Sequence, residues 1–316
     1  MLTPKEYADI INRELAGLNL PDNLPGLYEP VRYALASGGK RIRPVLLLMA
    51  AQAFGAEIES ALWPALGVEI FHNFTLLHDD VMDHAAMRRG RPTVCARWDT
   101  NTAILSGDAM TTLAYKCVSG CEPQFLPEVI DRFSMMTMAV YEGQQLDADM
   151  QQAPRATFSQ YLNMVTCKTS ALIAYPCAIG TLLAGADGAD IEAMFNYGIS
   201  LGIAFQMMDD WLDVYGDPAT FGKAIGGDII EGKRTWLHII ATDRGVMTDR
   251  AEGQTDDDRI REVTDIYDRI GLREAGDRLI AQYTSDAVDA VNATSLNRED
   301  KDAFIGFAKN LVHRDV

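Results

Sequence analysis

Cysteine is scarce and scattered in this chain. Cys95, Cys117, Cys121, Cys167 and Cys177 leave one thiol over in any disulfide scheme. No CxxC pair occurs, and Cys117 and Cys121 have no adjoining histidine to complete a zinc site. Reduced thiols and a cytoplasmic location are therefore expected. A cationic excess is also missing: the net charge is −17, which argues against nucleic acid or an acidic membrane surface as the main partner. The longest apolar stretch, Ala171 to Ala186, is broken by Pro176 and Gly180. It falls short of the roughly 20 residues that span a bilayer, so no transmembrane segment is expected. Met1-Leu2-Thr3-Pro4-Lys5-Glu6 contains no apolar run, so no signal peptide is expected. No Pro/Gly/Ser-rich linker or change of composition divides the chain, which points to a single domain over residues 1–316.

What remains is helical. Apolar residues make up 48% of the chain, enough for a large core, and they recur with helical spacing nearly everywhere. The pattern predicts helices near Pro4–Leu18, Leu24–Ser37, Pro44–Gly55 and Ser60–Asp83, with Pro44 at the first helical position. Further helices are expected near Asn101–Ser119, Pro127–Met150, Thr157–Leu183 and Asp190–Tyr215. The arginine-rich stretch His84 to Thr93 lacks periodicity, and Gly216 to Arg234 reads as a long functional loop. Three or four shorter helices finish the chain from about Thr235 to Val312, with Ala251–Asp258 as an exposed connector. No stretch shows the sustained alternation of a sheet, so the fold class is all-α.

Two copies of one acidic cluster stand out: Asp79-Asp80-Val81-Met82-Asp83 and Asp209-Asp210-Trp211-Leu212-Asp213, 130 positions apart. Each ends a long apolar helix. Residues i and i+4 share a helix face while i+1 stands about 100° round, so each DDxxD projects two carboxylates together with a third at the edge. Grouped anions need a cation, and a hard ion such as Mg²⁺ takes oxygen ligands and bridges to substrate phosphates. Cations lie close by in sequence. Gly38-Gly39-Lys40-Arg41-Ile42-Arg43 at a helix entrance, Arg88-Arg89-Gly90-Arg91, and the Lys223/Lys233 loop are all candidate anion sites. Lys168 lies in an apolar helix and needs an anionic partner. The apolar residues before each cluster, Phe71, Phe74, Leu76 and Leu77 in one and Ile203, Phe205, Met207 and Met208 in the other, suit an amphiphile with a charged head and a hydrocarbon tail.

Both clusters, Gly38-Gly39-Lys40-Arg41-Ile42-Arg43-Pro44, Arg88-Arg89-Gly90, Gly143-Gln144-x-x-Asp147, Lys168-Thr169, Phe205-Gln206, Gly222-Lys223 and Gly232-Lys233 together resemble the trans-isoprenyl diphosphate synthases, in the expected order from about Leu35 to Thr235. The resemblance implies an all-α bundle of the isoprenoid synthase type with a central cavity, usually a homodimer. It implies an enzyme that ionises an allylic diphosphate (dimethylallyl, geranyl or farnesyl) and lets isopentenyl diphosphate attack the cation. On it, Asp79, Asp80, Asp83, Asp209, Asp210 and Asp213 bind Mg²⁺, three ions in all and replaceable by Mn²⁺, with Asp147 in the metal shell. Arg88, Lys168, Lys223 and Lys233 hold the allylic diphosphate; Lys40, Arg43, His72 and Arg89 hold isopentenyl diphosphate. Gln144, Thr169 and Gln206 support the cation site. One departure is Trp236-Leu237, where relatives often carry a proline, which leaves the start of the next helix open.

Phe74 stands five residues before Asp79, about 7.5 Å down the helix, and is expected to form the floor that limits product growth. In the enzymes it resembles, an aromatic at this position limits the product and a second at the next position limits it further; here the next residue, Thr75, is small, and the first cluster has no insertion. The resemblance thus implies a C20 product (geranylgeranyl diphosphate), with C15 close behind; Phe71, Met110, Thr111 and Tyr115 are further wall candidates. A class I terpene cyclase has an NSE/DTE-type second motif and needs no second diphosphate site. A ferritin-like di-iron site would need a second partner for Glu69-Ile70-Phe71-His72, and neither His78, His84, His238 nor His313 supplies one. A non-catalytic subunit of a heteromeric synthase would usually lack one aspartate cluster.

Overall fold

The apolar periodicity folds into fifteen α-helices and one minimal hairpin in a computed structural model that describes residues 1–217 and 225–312. The described helices are α1 (Pro4–Ala16), α2 (Pro25–Leu35), α3 (Ile42–Ala53), α4 (Ile58–Met82), α5 (Val94–Arg97), α6 (Thr100–Val118) and α7 (Leu126–Gln152). They continue with α8 (Phe158–Val165), α9 (Ala171–Leu183), α10 (Gly188–Tyr215), α11 (Gly227–Glu231) and α12 (Trp236–Asp243). α13 (Asp256–Arg269), α14 (Leu272–Asn292) and α15 (Arg298–Val312) complete the chain. The strands β1 (Met87–Arg88) and β2 (Arg91–Pro92) pair antiparallel between α4 and α5. No described helix is long and apolar enough to cross a membrane. The five cysteines are free.

The chain divides into two compact units, residues 1–135 with 175–192, and residues 136–174 with 193–316. In the first, α4 packs against α3 and α6. Every residue from Ala65 to Phe74 is buried, the signature of a helix enclosed on all sides rather than on one stripe. Gly67 permits the close approach of α6, since a Cβ there would meet the Ala114 carbonyl oxygen at 2.7 Å. In the second unit, α10 is continuously buried over residues 201–204, with Phe205, Gln206 and Met208 part-exposed before its own cluster. Trp236 is wholly buried and donates to the Met207 carbonyl (3.2 Å), while Gly276 leaves room for the Trp211 and Trp236 indoles.

Four sequence expectations change. Pro44 is the third residue of α3, because Arg41 adopts a left-handed conformation (φ 50°) and Ile42 opens the helix. Pro44 stays harmless there, since N–H groups of the first turn have no helical partner. The stretch 84–93 is not irregular: Arg89 and Gly90, both at positive φ, close the β1–β2 turn. The helix expected over Thr157–Leu183 is interrupted by a π-turn at Thr166–Ser170, set against two glycines. A Cβ on Gly143 would collide with the Lys168 backbone and one on Gly202 with the Ser170 backbone. The loop expected over 216–234 contains α11; residues 218–224, including Gly222 and Lys223, and His313 lie outside the described residues. At the open point, Thr235 caps α12 by accepting from the His238 N–H, and Trp236 is its first residue.

Candidate active site

The first cluster occupies the last turn of α4. Asp79 is half-buried, Asp83 is the exposed C-cap, and these two share a face; Asp80 is only 5% exposed. The β1–β2 hairpin turns Arg88 back toward it, and the Arg88 Nε donates to Asp80 Oδ1 at 2.6 Å. Burial pushes the Asp80 carboxyl up from the usual carboxylate range, against the pull of Arg88. Arg89, one residue on, donates to the Gly38 carbonyl and to Ser37 Oγ.

Those contacts bring the hairpin to the glycine turn before α3, where Gly38, Gly39 and Arg41 all take positive φ. A Cβ on Gly39 would stand 2.9 Å from Arg89 Nη1, so glycine lets the guanidinium approach. The turn delivers Lys40, which is exposed, and Arg43, whose Nη1 lies 3.1 Å from His72 Nε2. A guanidinium can only donate, so His72 Nε2 accepts and the ring is neutral with its proton on Nδ1. Burial, then Arg43 and Arg89, hold the His72 pKa well below its ordinary value. Burial also lowers Arg43 to about 10, with Glu69 acting the other way. Arg43 Nε and His72 Nδ1 are both buried and have no protein acceptor. Arg43 and His72 are thus in contact, Arg89 is bound to the same turn, and Lys40 lies on that turn.

The second cluster ends α10. Asp209 is half-buried, Asp210 is 5% exposed and Asp213 is buried. Asp210 is the centre of a hydrogen-bonded chain: the buried Tyr161 hydroxyl donates to Oδ2 (2.7 Å) and Gln206 Nε2 donates to Oδ1 (2.9 Å). Thr169 Oγ1 donates in turn to Gln206 Oε1 at 3.0 Å. Burial raises the Asp210 carboxyl to about 8, although both donors pull it down. Lys168, on the π-turn, finds the anion it requires in Asp147, 2.6 Å away. Asp213 Oδ2 accepts the Asp228 N–H (3.0 Å), and Asp228 pairs with Lys233 at 2.9 Å, so the cluster is linked to α11 and the lysine beyond it. Gln144 lies one residue from the Gly143 contact with the π-turn and is part-buried.

Below the first cluster, Phe74 stacks obliquely on Phe71 (5.3 Å) and edge-on to His78 (4.6 Å). Phe133 joins Phe71 to Tyr115, with centroids 5.7 and 4.9 Å apart. Met110 is wholly buried; Thr111 bonds the Gly107 carbonyl and Thr75 the His72 carbonyl, each along its own helix. Phe74 therefore belongs to a buried aromatic cluster and is followed by a small side chain.

The donor set suits a hard cation: both clusters offer carboxylate oxygen alone, on faces where i and i+4 carboxylates stand together. Among the described residues, no group of three or more His, Cys, Asp or Glu side chains is placed to hold a metal ion by itself. Open carboxylate sets of this kind fit an ion that completes its shell with water and phosphate oxygen. Asp79, Asp80 and Asp83 in one unit, and Asp209, Asp210 and Asp213 in the other, are the carboxylates that could hold such ions; Arg88 engages one oxygen of Asp80, Tyr161 and Gln206 engage both oxygens of Asp210, and Asp213 accepts the Asp228 N–H. Sequence reasoning missed two participants, Tyr161 and Asp228, and the pairing of two residues it had named. Tyr161 stands two helical turns before Lys168, a phenol on an otherwise apolar face. Asp228 is an acid in the lysine loop. Arg41 and Glu69 form a buried pair, Nη1 to Oε1 at 2.6 Å, which also removes Glu69 from any di-iron reading.

The chain matches the polyprenyl synthetase family model over residues 25–269. It is 41% identical over 245 residues to the geranylgeranyl diphosphate synthase of Methanosarcina mazei, covering 77% of this chain and 75% of that enzyme. It is 33% identical over 298 residues to the corresponding synthase of Sulfolobus acidocaldarius, covering 91% of this chain and 88% of that one. A crystal structure of a geranylgeranyl pyrophosphate synthase superposes with a TM-score of 0.95 at 38% identity, covering 100% of both chains. The fold is that of the all-α isoprenoid synthases, and the chain belongs to the polyprenyl synthetase family of prenyltransferases.

Proposed function

We propose that this prenyltransferase condenses isopentenyl diphosphate with dimethylallyl, geranyl and farnesyl diphosphates and releases geranylgeranyl diphosphate as its main product. Polyprenyl synthetases are metal-dependent; Mg²⁺, as three ions and with Mn²⁺ able to substitute, is the ion proposed here. The observation that carries the two-diphosphate reading is the pair of orphaned buried donors, Arg43 Nε and His72 Nδ1, in the field of Arg41, Arg88 and Arg89. Such a cradle needs an anion of its own, separate from one held through the aspartates. A terpene cyclase, with one diphosphate, has no use for it.

When bound, the metal supplies electrostatic stabilisation of the charge that develops on the leaving diphosphate. Asp79, Asp80, Asp83, Asp209, Asp210 and Asp213 would hold it, with Asp147 in the metal shell. Arg88, Lys168, Lys223 and Lys233 neutralise the same diphosphate directly. Asp80 orients Arg88 through their 2.6 Å bond. Thr169 gives its proton to Gln206, so its lone pairs remain available to an electron-deficient carbon. Gln144 supports the same region. Lys40, Arg43, His72 and Arg89 hold isopentenyl diphosphate for attack on that carbon, and the departing diphosphate takes the final proton. Phe74, with Thr75 beside it, stops growth at C20; farnesyl diphosphate is the next product in abundance. Free thiols favour the cytoplasm, and the exposed Ile104 and Leu105 on α6 and Met138 on α7 favour a homodimer.

Incubation with isopentenyl diphosphate, each allylic primer and Mg²⁺, followed by phosphatase treatment, tests this. A linear C20 alcohol supports the reading; a cyclic hydrocarbon, or no turnover with any primer, contradicts it.

A further inference from the structure

The turn at residues 38–41 is an unlikely place for a fixed binding site on backbone grounds alone. Three of its four residues lie at positive φ, and one of these, Arg41, carries a side chain that makes the conformation costly. Such a turn persists only if its surroundings over-determine it. Arg41 supplies the determination itself. Its Nε donates to Asn12 Oδ1 on α1 (2.9 Å), Nη2 to the Leu35 carbonyl at the end of α2 (3.0 Å), and Nη1 to Glu69 Oε1 on α4 (2.6 Å). One guanidinium thus ties three helices to the start of a fourth.

Glu69 is held equally firmly. Oε1 also accepts from Asn73 Nδ2 at 2.9 Å, and both members of the ion pair have side chains only 3% exposed. The pair sits where the anion cradle is assembled: Lys40 and Arg43 flank Arg41 in sequence, and His72 stands one turn after Glu69 on α4. Glu69 also acts on Arg43, opposing the burial and the Arg89 charge that weaken that guanidinium's hold on its proton. Arg41 Nε, Nη1 and Nη2 and Glu69 Oε1 are all engaged by protein groups, and burial keeps both side chains from solvent.

We propose that the buried Arg41–Glu69 pair is the positioning device of the isopentenyl diphosphate site: it locks the 38–41 turn onto α4 so that Lys40, Arg43 and His72 present one anion cradle. The proposal rests on the two-substrate reading above. It makes the pair selective for one substrate, since its further hydrogen bonds run to Asn12, Leu35 and Asn73, around the turn and not at the Asp79–Asp83 cluster.

The test is steady-state kinetics of Glu69→Gln and Arg41→Lys, varying each substrate at saturating levels of the other, with thermal unfolding measured alongside. Removing one member of a buried pair destabilises, whereas replacing both by apolar side chains is often tolerated. The double variant Arg41→Met/Glu69→Met is therefore included. The expected result is a KM for isopentenyl diphosphate raised about tenfold or more in all three, with the allylic KM and kcat within about threefold of wild type. The double variant should regain most of the lost thermal stability and keep the KM defect. The proposal is overturned if the isopentenyl diphosphate KM is unchanged, if both KM values and kcat worsen in parallel, or if KM recovers with stability in the double variant. Wild-type protein that fails to consume isopentenyl diphosphate would overturn the functional reading itself, a result distinguishable from active wild type with indifferent variants.

Discussion

Asp80 and Asp210 hold equivalent places in the two clusters, and each is 5% exposed and bonded to protein donors, while Asp79 and Asp209 beside them are half-buried. The helical geometry of DDxxD already separates the middle aspartate from the i, i+4 pair, so this division was legible from spacing. Its partners were not. Tyr161 reaches Asp210 across 49 positions, and nothing local in sequence marks that contact. A hydrogen bond to a buried carboxylate contributes about 1.5–3 kcal/mol. Tyr161→Phe should therefore lower kcat by about tenfold or more, by loosening Asp210, Gln206 and Thr169, and leave the isopentenyl diphosphate KM near wild type. Steady-state kinetics checks both numbers; an unchanged kcat would remove Tyr161 from the machinery. Phe74→Ala removes one ring of the Phe71–Phe74–His78 cluster and should lengthen the product beyond C20, read by chromatography of the dephosphorylated alcohols. It should also destabilise the fold by about 3–5 kcal/mol. Unchanged chain length would place the floor elsewhere.

Helix periodicity is a repeating signal, so the helices emerge from sequence within a few residues of their observed ends. The exceptions are places where one residue overrides the pattern: the left-handed Arg41, the Arg89-Gly90 turn, and the π-turn at Thr166–Ser170. The π-turn depends on close backbone approach by distant glycines, which no local pattern reveals. Gly143→Ala inserts a methyl group into the Lys168 backbone and should cost about 1–3 kcal/mol. It should also lower kcat, since Lys168 and Thr169 sit on that turn; differential unfolding and kinetics together check it. On α12, His238 Nε2 lies 2.9 Å from Arg234 Nη1, and burial, then Arg234, lower its pKa to about 4. A base depressed in the folded state contributes stability that is complete above its ordinary value near 6.5 and lost as the pH falls through about 4. His238→Gln, which keeps an acceptor, should flatten the fall in stability across that window relative to wild type in pH-dependent denaturation. Parallel curves would show that His238 does not titrate as described.

For the whole molecule, the absence of sheet patterning and the 48% apolar content were enough to give an all-α fold. A net charge of −17 on a protein proposed to bind two polyanions makes sense only if cations are concentrated where they act. Lys40 and Arg43, and likewise Arg88 and Arg89, were legible as groups because each pair is close in sequence; that the hairpin brings Arg89 back to the 37–38 turn, 51 positions away, was not. The counter-charge at Glu69 was not, being folded in from 28 positions beyond Arg41. Chelation of divalent metal should abolish turnover, and added Mg²⁺ should restore it, while the thermal unfolding of the substrate-free protein should shift little; a metal-free protein of full activity would leave the carboxylate clusters without a purpose. The most direct test of the account supplies farnesyl diphosphate as the only primer, with excess isopentenyl diphosphate and Mg²⁺, and measures the mass of the dephosphorylated product. The account predicts a single addition, giving a linear C20 alcohol. No addition, or growth to C25 and beyond as the main outcome, would contradict it.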